Sequence, residues 1–241
     1  AAEAWLRTQG RLPVNLKLLI EAEEEIGSPN LGPYVQANAE RLRCDQILIS
    51  DTGMYEVGWP TVTYGTRGLV YKEIRIAGPK HDLHSGSFGG TVANPANVLA
   101  RIVAALHNDA GRVTIPGFYD DVLAPSDAER EQFRRLPLDD AAYAESLGSP
   151  RTTGEQGYST NERRWIRPTL DCNGIYGGFM KEGKNTIIPR SAGAKLSMRL
   201  VPHQDAKKIA AAFDAAVRAL CPDTVRLEII DHGEADPYYV A

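Results

Sequence analysis

The 241-residue sequence predicts a mixed α/β fold in two parts, a partial parallel sheet followed by an α+β layer of ferredoxin-like type. Residues 13–51 alternate an apolar run, a helix-like segment and a second apolar run, which is the pattern of a βαβ unit. From residue 61 onward the element order is β-α-β-β-α-β, the signature of a split βαβ layer. We therefore divide the chain into residues 1–60 and 61–241, at the point where GWPTVTYG interrupts the parallel pattern.

The first part consists of the β-type run PVNLKLLIEAE, the helix-like PNLGPYVQANAERL and the short apolar run DQILISD. A crossover helix makes its two flanking strands parallel, so both strands end at the same edge of the sheet. We therefore expect Glu24 and Glu25 to share that edge with Asp51.

The second part begins with the strand VTYGTRGLVYKEIRIAG and the helix NPANVLARIVAALHN, where Asn94 can cap the helix and Pro95 takes its first position. Two strands, at about 168–177 and 191–201, precede the helix DAKKIAAAFDAAVRAL and the strand TVRLEIIDH. A polar insertion, about residues 109–167, separates the first helix from the second strand. It contains two short helical stretches, DAEREQFRRL and DDAAYAESL.

Composition excludes several classes of partner. The formal net charge is -4 and the sequence has no block rich in Lys and Arg, so we expect no nucleic-acid partner. No apolar run approaches the roughly 18 residues that a membrane helix needs, and AAEAWLRTQG lacks the pattern of a signal peptide. Three widely spaced cysteines indicate reduced thiols rather than a disulfide framework. These features predict a soluble, cytoplasmic protein without a membrane partner.

The acid-rich segment IEAEEEIGS follows a buried-looking run and places four glutamates close together. Carboxylates crowded at the end of a strand repel one another unless a cation compensates, and a divalent metal would do so. One carboxylate could then bind the metal while its neighbour accepts a proton from the attacking water. A solvated acidic loop is the alternative.

Two further segments carry candidate side chains. In KHDLHSGSFGG, His81 and His84 could belong to a metal site, could stabilise a reaction intermediate, or could be exposed loop residues. In GKNTIIPRSAGAKLSMRLVP, Asn185 and Thr186 supply polar groups before an Ile-Ile-Pro stop. Arg199 lies in a strand of apolar and small residues, where its guanidinium could bind a carboxylate or form a surface salt bridge.

The motifs EAEEEIGS, ILISD, TYGTRGL, DLHSGSFGG followed by NP, and NTIIPRSAGAKLSMRLVP occur in order between about residues 12 and 233. Together they resemble the dinuclear-zinc metallopeptidase family of aminoacylase, glutamate carboxypeptidase and carnosine dipeptidase. IPGFYDDV and RWIRPTLDCNGIYGG resemble its dipeptidase branch. The resemblance implies a zinc-peptidase catalytic domain, a lid and dimerisation domain, a homodimer, and hydrolysis of dipeptides with two zinc ions per active site. Manganese or cobalt could replace the zinc.

The resemblance also implies roles for individual residues in the first part. Glu24 matches the family's general base and Glu25 its neighbouring metal ligand. Asp51, at the end of ILISD, matches a ligand to the other zinc ion.

In the second part, His84 matches a histidine that reaches the active site of the partner subunit and stabilises the tetrahedral oxyanion. Arg199 matches the arginine that holds the free carboxylate of the substrate. Thr186, next to Asn185, matches a nearby substrate-contacting position. His81 matches no functional position and is interpreted as a loop residue.

The sequence departs from the family pattern where the remaining metal ligands are expected. The family's H-x-D motif and a later aspartate precede the glutamate pair, but no histidine precedes Glu21 here. Three histidines remain beyond the matching motifs, and none is placed like the family's last ligand: His107, His203 and His232. Only Glu25 and Asp51 of the expected set are present, and two carboxylates do not hold a dinuclear centre firmly.

We therefore predict a fragment that is inactive alone, with exposed apolar surface on its partial sheet. Two alternatives stay open. The parent enzyme could be an N-acyl amino acid deacylase of the same family, acting on N-acyl amino acids rather than dipeptides, or the chain could be a non-catalytic dimerisation module.

Overall fold

The computed structural model describes residues 2–49 and 53–240, which form two compact units, Ala1–Thr61 and Val62–Ala241. No helix within these described residues is long and apolar enough to cross a membrane.

Short helices and irregular segments make up unit 1. Its helices are α1 (Ala2–Gln9), a 3-10 turn (Glu24–Ile26), α2 (Leu31–Ala37) and α3 (Ala39–Leu42). The helix predicted over residues 29–42 forms as the pair α2 and α3, with a break at Asn38. Its side-chain amide donates to the Tyr34 carbonyl over 2.9 Å, which competes with the regular helical bonding.

The two strands predicted in unit 1 are not formed within its described residues, so the parallel sheet is not observed there. Leu18, Ile20 and Leu48 are 77%, 86% and 92% exposed. A strand needs a neighbouring strand to pair its N–H and C=O groups. Neither apolar run has such a neighbour among the residues described, which is the physical reason for the difference.

Unit 2 contains the sheet and the hydrophobic core. Its elements in chain order are β1 (Gly65–Thr66), β2 (Gly68–Ala77), β3 (Leu83–His84), α4 (Ser85–Phe88), α5 (Pro95–Ala105), α6 (Asp127–Arg135), α7 (Asp140–Ser146), α8 (Thr160–Trp165), β4 (Thr169–Gly177), β5 (Ile187–Ile188), β6 (Ser191–Leu200), α9 (Ala206–Leu220), β7 (Arg226–Ala235) and β8 (Tyr238–Tyr239).

The main sheet has the order β4-β6-β2-β7 and is antiparallel throughout. The long elements β2, α5, β4, β6, α9 and β7 follow the predicted β-α-β-β-α-β order, so the ferredoxin-like layer is confirmed. Two smaller pairs, β1 with β8 and β3 with β5, form separate two-stranded sheets.

The core lies between α5, α9 and one face of this sheet. Side chains alternate between the two faces of a strand, so every second residue of β6 points to the helices. The residues at the centre of the core are Val70, Ile74, Ile76, Leu99, Ile102, Leu196, Met198, Leu200, Ile209, Phe213 and Val217, each at most 2% exposed. The opposite face of β6, which carries Arg199, is not covered by these helices.

Both core helices begin as the sequence predicts. Asn94 accepts a hydrogen bond from the Ala96 N–H over 2.9 Å, and Pro95 takes the first helical position of α5. Asp205 accepts from the Lys208 N–H over 2.8 Å at the start of α9. These caps fix where each helix starts and hence which face meets the sheet.

The segment predicted as a polar insertion contains α6 and α7, where DAEREQFRRL and DDAAYAESL predicted helices, and also α8. Ser126 with Glu129 and Ser159 with Glu162 form capping boxes at the starts of α6 and α8.

Candidate functional site

The acid-rich segment of unit 1 forms a tight turn rather than a strand end. Its 3-10 turn ends at Gly27, whose φ of 85° is in the left-handed region that glycine tolerates. Glu21 accepts a hydrogen bond from Ser28 Oγ over 2.8 Å, and Glu23 accepts from Asn30 Nδ2 over 2.9 Å. Two of the four carboxylates are therefore held by local bonds, a structural role that the sequence alone did not indicate.

Glu24 and Glu25 are exposed, and no side-chain hydrogen bond or ion pair to them is found in the described part of the chain. Asp51 lies outside the described residues, so its predicted convergence with Glu25 stays a prediction. Within residues 2–49 and 53–240, no group of three or more His, Cys, Asp or Glu could hold a metal ion. These residues by themselves do not fit a complete metal centre.

His84 and Thr186 lie together in unit 2, and we call them the histidine cluster. The short strands β3 and β5 pair antiparallel with His84 opposite Ile187, and the Ser85 N–H donates to the Thr186 carbonyl over 2.9 Å. His84 Nε2 lies 3.4 Å from Thr186 Oγ1. Asn185 is the exposed residue just before Thr186, whereas His81 is exposed in the preceding loop.

The backbone selects the tautomer of a neutral His84 ring. Its Nδ1 accepts a hydrogen bond from the Gly86 N–H over 2.8 Å, so a neutral ring carries its proton on Nε2. A Cβ at residue 86 would lie 2.6 Å from His84 Cε1, so only glycine permits this approach. The structure therefore presents Nε2–H, next to a hydroxyl group, as a hydrogen-bond donor suited to an anionic oxygen.

Arg199 lies on β6, near the end of that strand that is farther from the histidine cluster. The Asp82 carboxylate accepts from the Arg190 N–H over 2.8 Å, which ties the loop that leads to the histidine cluster to the start of β6. Arg199 lies roughly 27 Å along β6 from Ser191, at about 3.4 Å per residue. The structure thus brings His84 and Thr186 together but leaves Arg199 far from both.

Arg67 is a candidate that the sequence reasoning missed, although the TYGTRGL motif contains it. It directly precedes β2, in which Leu69 stands opposite Arg199. Burial lowers the pKa of Arg67, and the positive charge of Arg199 lowers it further. Recognising this pair needs the register between β2 and β6, which the sequence does not supply.

A cavity of about 460 Å³ opens on the face of the sheet opposite α5 and α9, and its lining includes Glu73, Arg75, Tyr176 and Lys195. The buried Glu73 carboxylate accepts hydrogen bonds from Tyr176 Oη over 2.6 Å and from Arg75 Nε over 2.7 Å. His232 Nε2 lies 2.9 Å from its other oxygen. The hydrogen bond from Tyr176 contributes most, followed by those from His232 and Arg75, to lowering the pKa of Glu73 to about 2.

We expect this network to make stability depend on pH. Because the folded pKa of Glu73 is about 2 and its ordinary value 4.5, its contribution is present above pH 4.5 and is lost as pH falls toward 2. Urea unfolding of the wild type and Glu73→Gln should show a difference in midpoint that shrinks over this range. Glu234→Gln, which changes an exposed carboxylate on β7, is the matched control. A difference that stays constant from pH 6 to pH 2 would contradict the prediction.

A family model described as the peptidase dimerisation domain matches residues 64–225, which is more than half of the chain. The chain belongs to the M20 peptidase family. The resemblance predicted from the sequence is thereby confirmed, and the matched range contains His84, Thr186 and Arg199 of unit 2.

The M20 relatives include named dipeptidases. The chain is 35% identical to the Cys-Gly metallodipeptidase DUG1 of Candida albicans over 209 residues, which cover 86% of this chain and 43% of that protein. It is 32% identical to the Beta-Ala-His dipeptidase of Homo sapiens, covering 87% of this chain and 42% of that protein. The chain thus spans less than half the length of these two relatives.

Two solved structures of M20 proteins share the fold. Human carnosine dipeptidase 1 matches with a TM-score of 0.78 and 28% identity, covering 99% of this chain and 51% of that chain. The M20 metallo-carboxypeptidase Sso-CP2 of Sulfolobus solfataricus matches with a TM-score of 0.76 and 34% identity, covering 90% of this chain and 49% of that chain.

Proposed function

We propose that this chain forms the lid and part of the catalytic domain of a metal-dependent dipeptidase that works as a homodimer. The observation that carries the proposal is that the histidine cluster, on the separate β3–β5 pair, lies just before the start of β6, whereas Arg199 lies near the other end of that strand. Family membership and the named dipeptidase relatives support the reaction class. In this proposal residues 1–60 belong to the catalytic domain, and residues 61–241, with the insertion at 109–167, form the lid.

The separation of these two places supports a dimer. A dipeptide spans at most about 7 Å in extended form, whereas Arg199 lies roughly 27 Å along β6 from the end that carries the histidine cluster. One substrate therefore cannot contact both places on one lid. Two lids related by a two-fold axis could meet this requirement, since each active site would take Arg199 from one subunit and His84 with Thr186 from the other.

Each candidate residue then has a chemical role. Glu24 accepts a proton from the attacking water, and His84 Nε2–H donates to the oxygen that becomes negative in the tetrahedral intermediate. Thr186 and Asn185 contact the substrate near His84. Arg199 binds the free carboxylate of the dipeptide with its planar guanidinium.

The metal centre needs more than the described residues supply. We propose Glu25 and Asp51 as two of its ligands. In this proposal the remaining ligands come from other parts of the full-length protein. Zinc, two ions per active site, is the proposed metal, and manganese or cobalt could also suit oxygen-rich ligands. The free cysteines Cys44, Cys172 and Cys221 support a reducing, cytoplasmic location.

Glu24→Gln in a full-length protein that carries this chain tests the proposed reaction. We expect loss of dipeptide hydrolysis by about 100-fold or more, because a proton-transfer group is removed, with unchanged metal content. Glu40→Gln, which changes a surface glutamate of α3, is the control and should keep full activity. Full activity of Glu24→Gln would contradict the role of Glu24, and faster hydrolysis of N-acyl amino acids than of dipeptides by the unaltered protein would favour the deacylase alternative.

A further inference from the structure

Two arginines on the face of the sheet opposite α5 and α9 have no acceptor among the described residues. Neither Arg67 nor Arg199 makes a hydrogen bond or ion pair with any residue that the structure describes, although Arg67 is partly buried. A guanidinium carries five N–H donors and stays protonated. Removing such a charge from water without a partner is unfavourable, so an unpaired, partly buried arginine indicates a missing anion.

The register of the sheet places the two residues near each other. Leu69 stands directly opposite Arg199, and Arg67 precedes Leu69 by two residues. Arg67 is therefore the diagonal neighbour of Arg199, and such neighbours lie about 7–8 Å apart at the backbone, within reach of long side chains. Both guanidiniums can reach a small group placed between them.

Positive charges outnumber negative charges around Arg67 and Arg199. Burial contributes most to the lowered pKa of Arg67, Arg199 and Arg164 lower it further, and only Asp171 acts in the opposite direction. Asp171 stands opposite Ser197, so it is a diagonal neighbour of Arg199 on the other side, and its carboxylate accepts from Thr169 Oγ1 over 3.1 Å. The charges that act on Arg67 are thus those of two other guanidiniums and one carboxylate.

We propose that Arg67 is a second carboxylate-binding residue, and that Arg67 and Arg199 together bind one carboxylate group of a peptide ligand. The proposal rests on the proposed function in one respect, the assignment of Arg199 to the carboxylate of the substrate. A carboxylate has two oxygens with about four acceptor positions, so it can accept from both guanidiniums at once. The excess positive charge favours binding of the anion over release.

Carboxylate binding can be measured on the full 241-residue chain without catalysis. Acetate replaces chloride at constant ionic strength while the Nε–Hε signals of Arg67 and Arg199 are followed by NMR. We expect both signals to move with one common dissociation constant. Arg67→Gln should raise the constant reported by Arg199 about tenfold, because charge-assisted hydrogen bonds are lost.

Two further variants separate binding from a merely structural role. Asp171→Asn should tighten acetate binding about twofold to threefold, since it removes the one opposing charge. Arg101→Gln changes an exposed arginine of α5 that has no bonded partner in the described residues, and it should leave the constant unchanged. Backbone amide spectra show that each variant keeps the fold.

Several outcomes would overturn the inference. If only the Arg199 signal moves, or if Arg67→Gln leaves the constant unchanged, Arg67 does not bind the carboxylate, and the proposed function stands. If neither signal moves, the pair is not a carboxylate site, and the Glu24→Gln measurement still decides the proposed function separately. Tighter binding of inorganic phosphate than of acetate would overturn the assignment to a carboxylate.

Discussion

Mixing two inactive full-length subunits, one carrying His84→Ala and the other Arg199→Ala, should restore about a quarter of wild-type dipeptidase activity after subunit exchange. Alone, each variant should lose activity by about 100-fold. His84→Ala removes the hydrogen-bond donor to the oxyanion, and Arg199→Ala removes the residue that binds the substrate carboxylate. Activity is measured as dipeptide hydrolysis before and after the subunits are exchanged and recombined.

The expected quarter follows from the geometry. His84 and Arg199 lie far apart on one lid, so in our proposal they serve different active sites of a two-fold dimer. About half of randomly paired dimers contain one subunit of each kind. In such a dimer one active site receives the intact His84 and the intact Arg199, whereas the other receives neither.

A second mixture provides the control. Arg199→Ala subunits combined with the double variant His84→Ala/Arg199→Ala contain no intact Arg199, so no active site can be completed and no activity should return. If mass spectrometry shows mixed dimers but the first mixture stays inactive, His84 and Arg199 do not act across subunits. The proposal of a shared active site would then be wrong.

The sequence was most informative where a segment contains its own structural determinants. The helix starts at Asn94 and Asp205, and the alternating pattern of β6, can be predicted locally and are present in unit 2. Unit 1 differs because an apolar run becomes a strand only when another segment pairs with it. The runs that contain Leu18 and Leu48 are apolar enough for strands, but no strand pairs with them in the described part of the unit.

The candidate site shows the same difference between features that one segment determines and features that depend on other segments. Motif resemblance identified His84, Thr186 and Arg199 as candidates, but it could not reveal that the first two are neighbours and the third is distant. Which nitrogen of His84 can donate depends on the backbone N–H of Gly86. That Arg67 lies near Arg199 depends on the register between β2 and β6. Both are relations between segments rather than properties of a motif.

The largest stability effect that we expect comes from an ion cluster within the insertion, close to the start of β4. Arg167, only 4% exposed, donates to both oxygens of the buried Glu155 over 2.8 Å, and Arg112 donates to the same carboxylate over 2.8 Å. The Arg167 guanidinium also lies 4.2 Å from the centre of the Tyr158 ring. The cluster fixes the chain just before β4, the strand that carries Asp171 near Arg67 and Arg199.

Arg167→Met should therefore lower the free energy of unfolding by about 3–5 kcal/mol, because it leaves the Glu155 carboxylate buried with one remaining partner. Urea unfolding gives this value. The double variant Glu155→Gln/Arg167→Met should recover part of the loss, since no unpaired charge is then buried.

The surface ion pair of Arg135 and Glu131 offers a matched comparison, because both side chains are largely exposed to solvent. Arg135→Met should change the free energy of unfolding by less than about 1 kcal/mol. If Arg167→Met were as mild as Arg135→Met, water would have to replace the lost guanidinium at Glu155, and the cluster would not anchor the insertion.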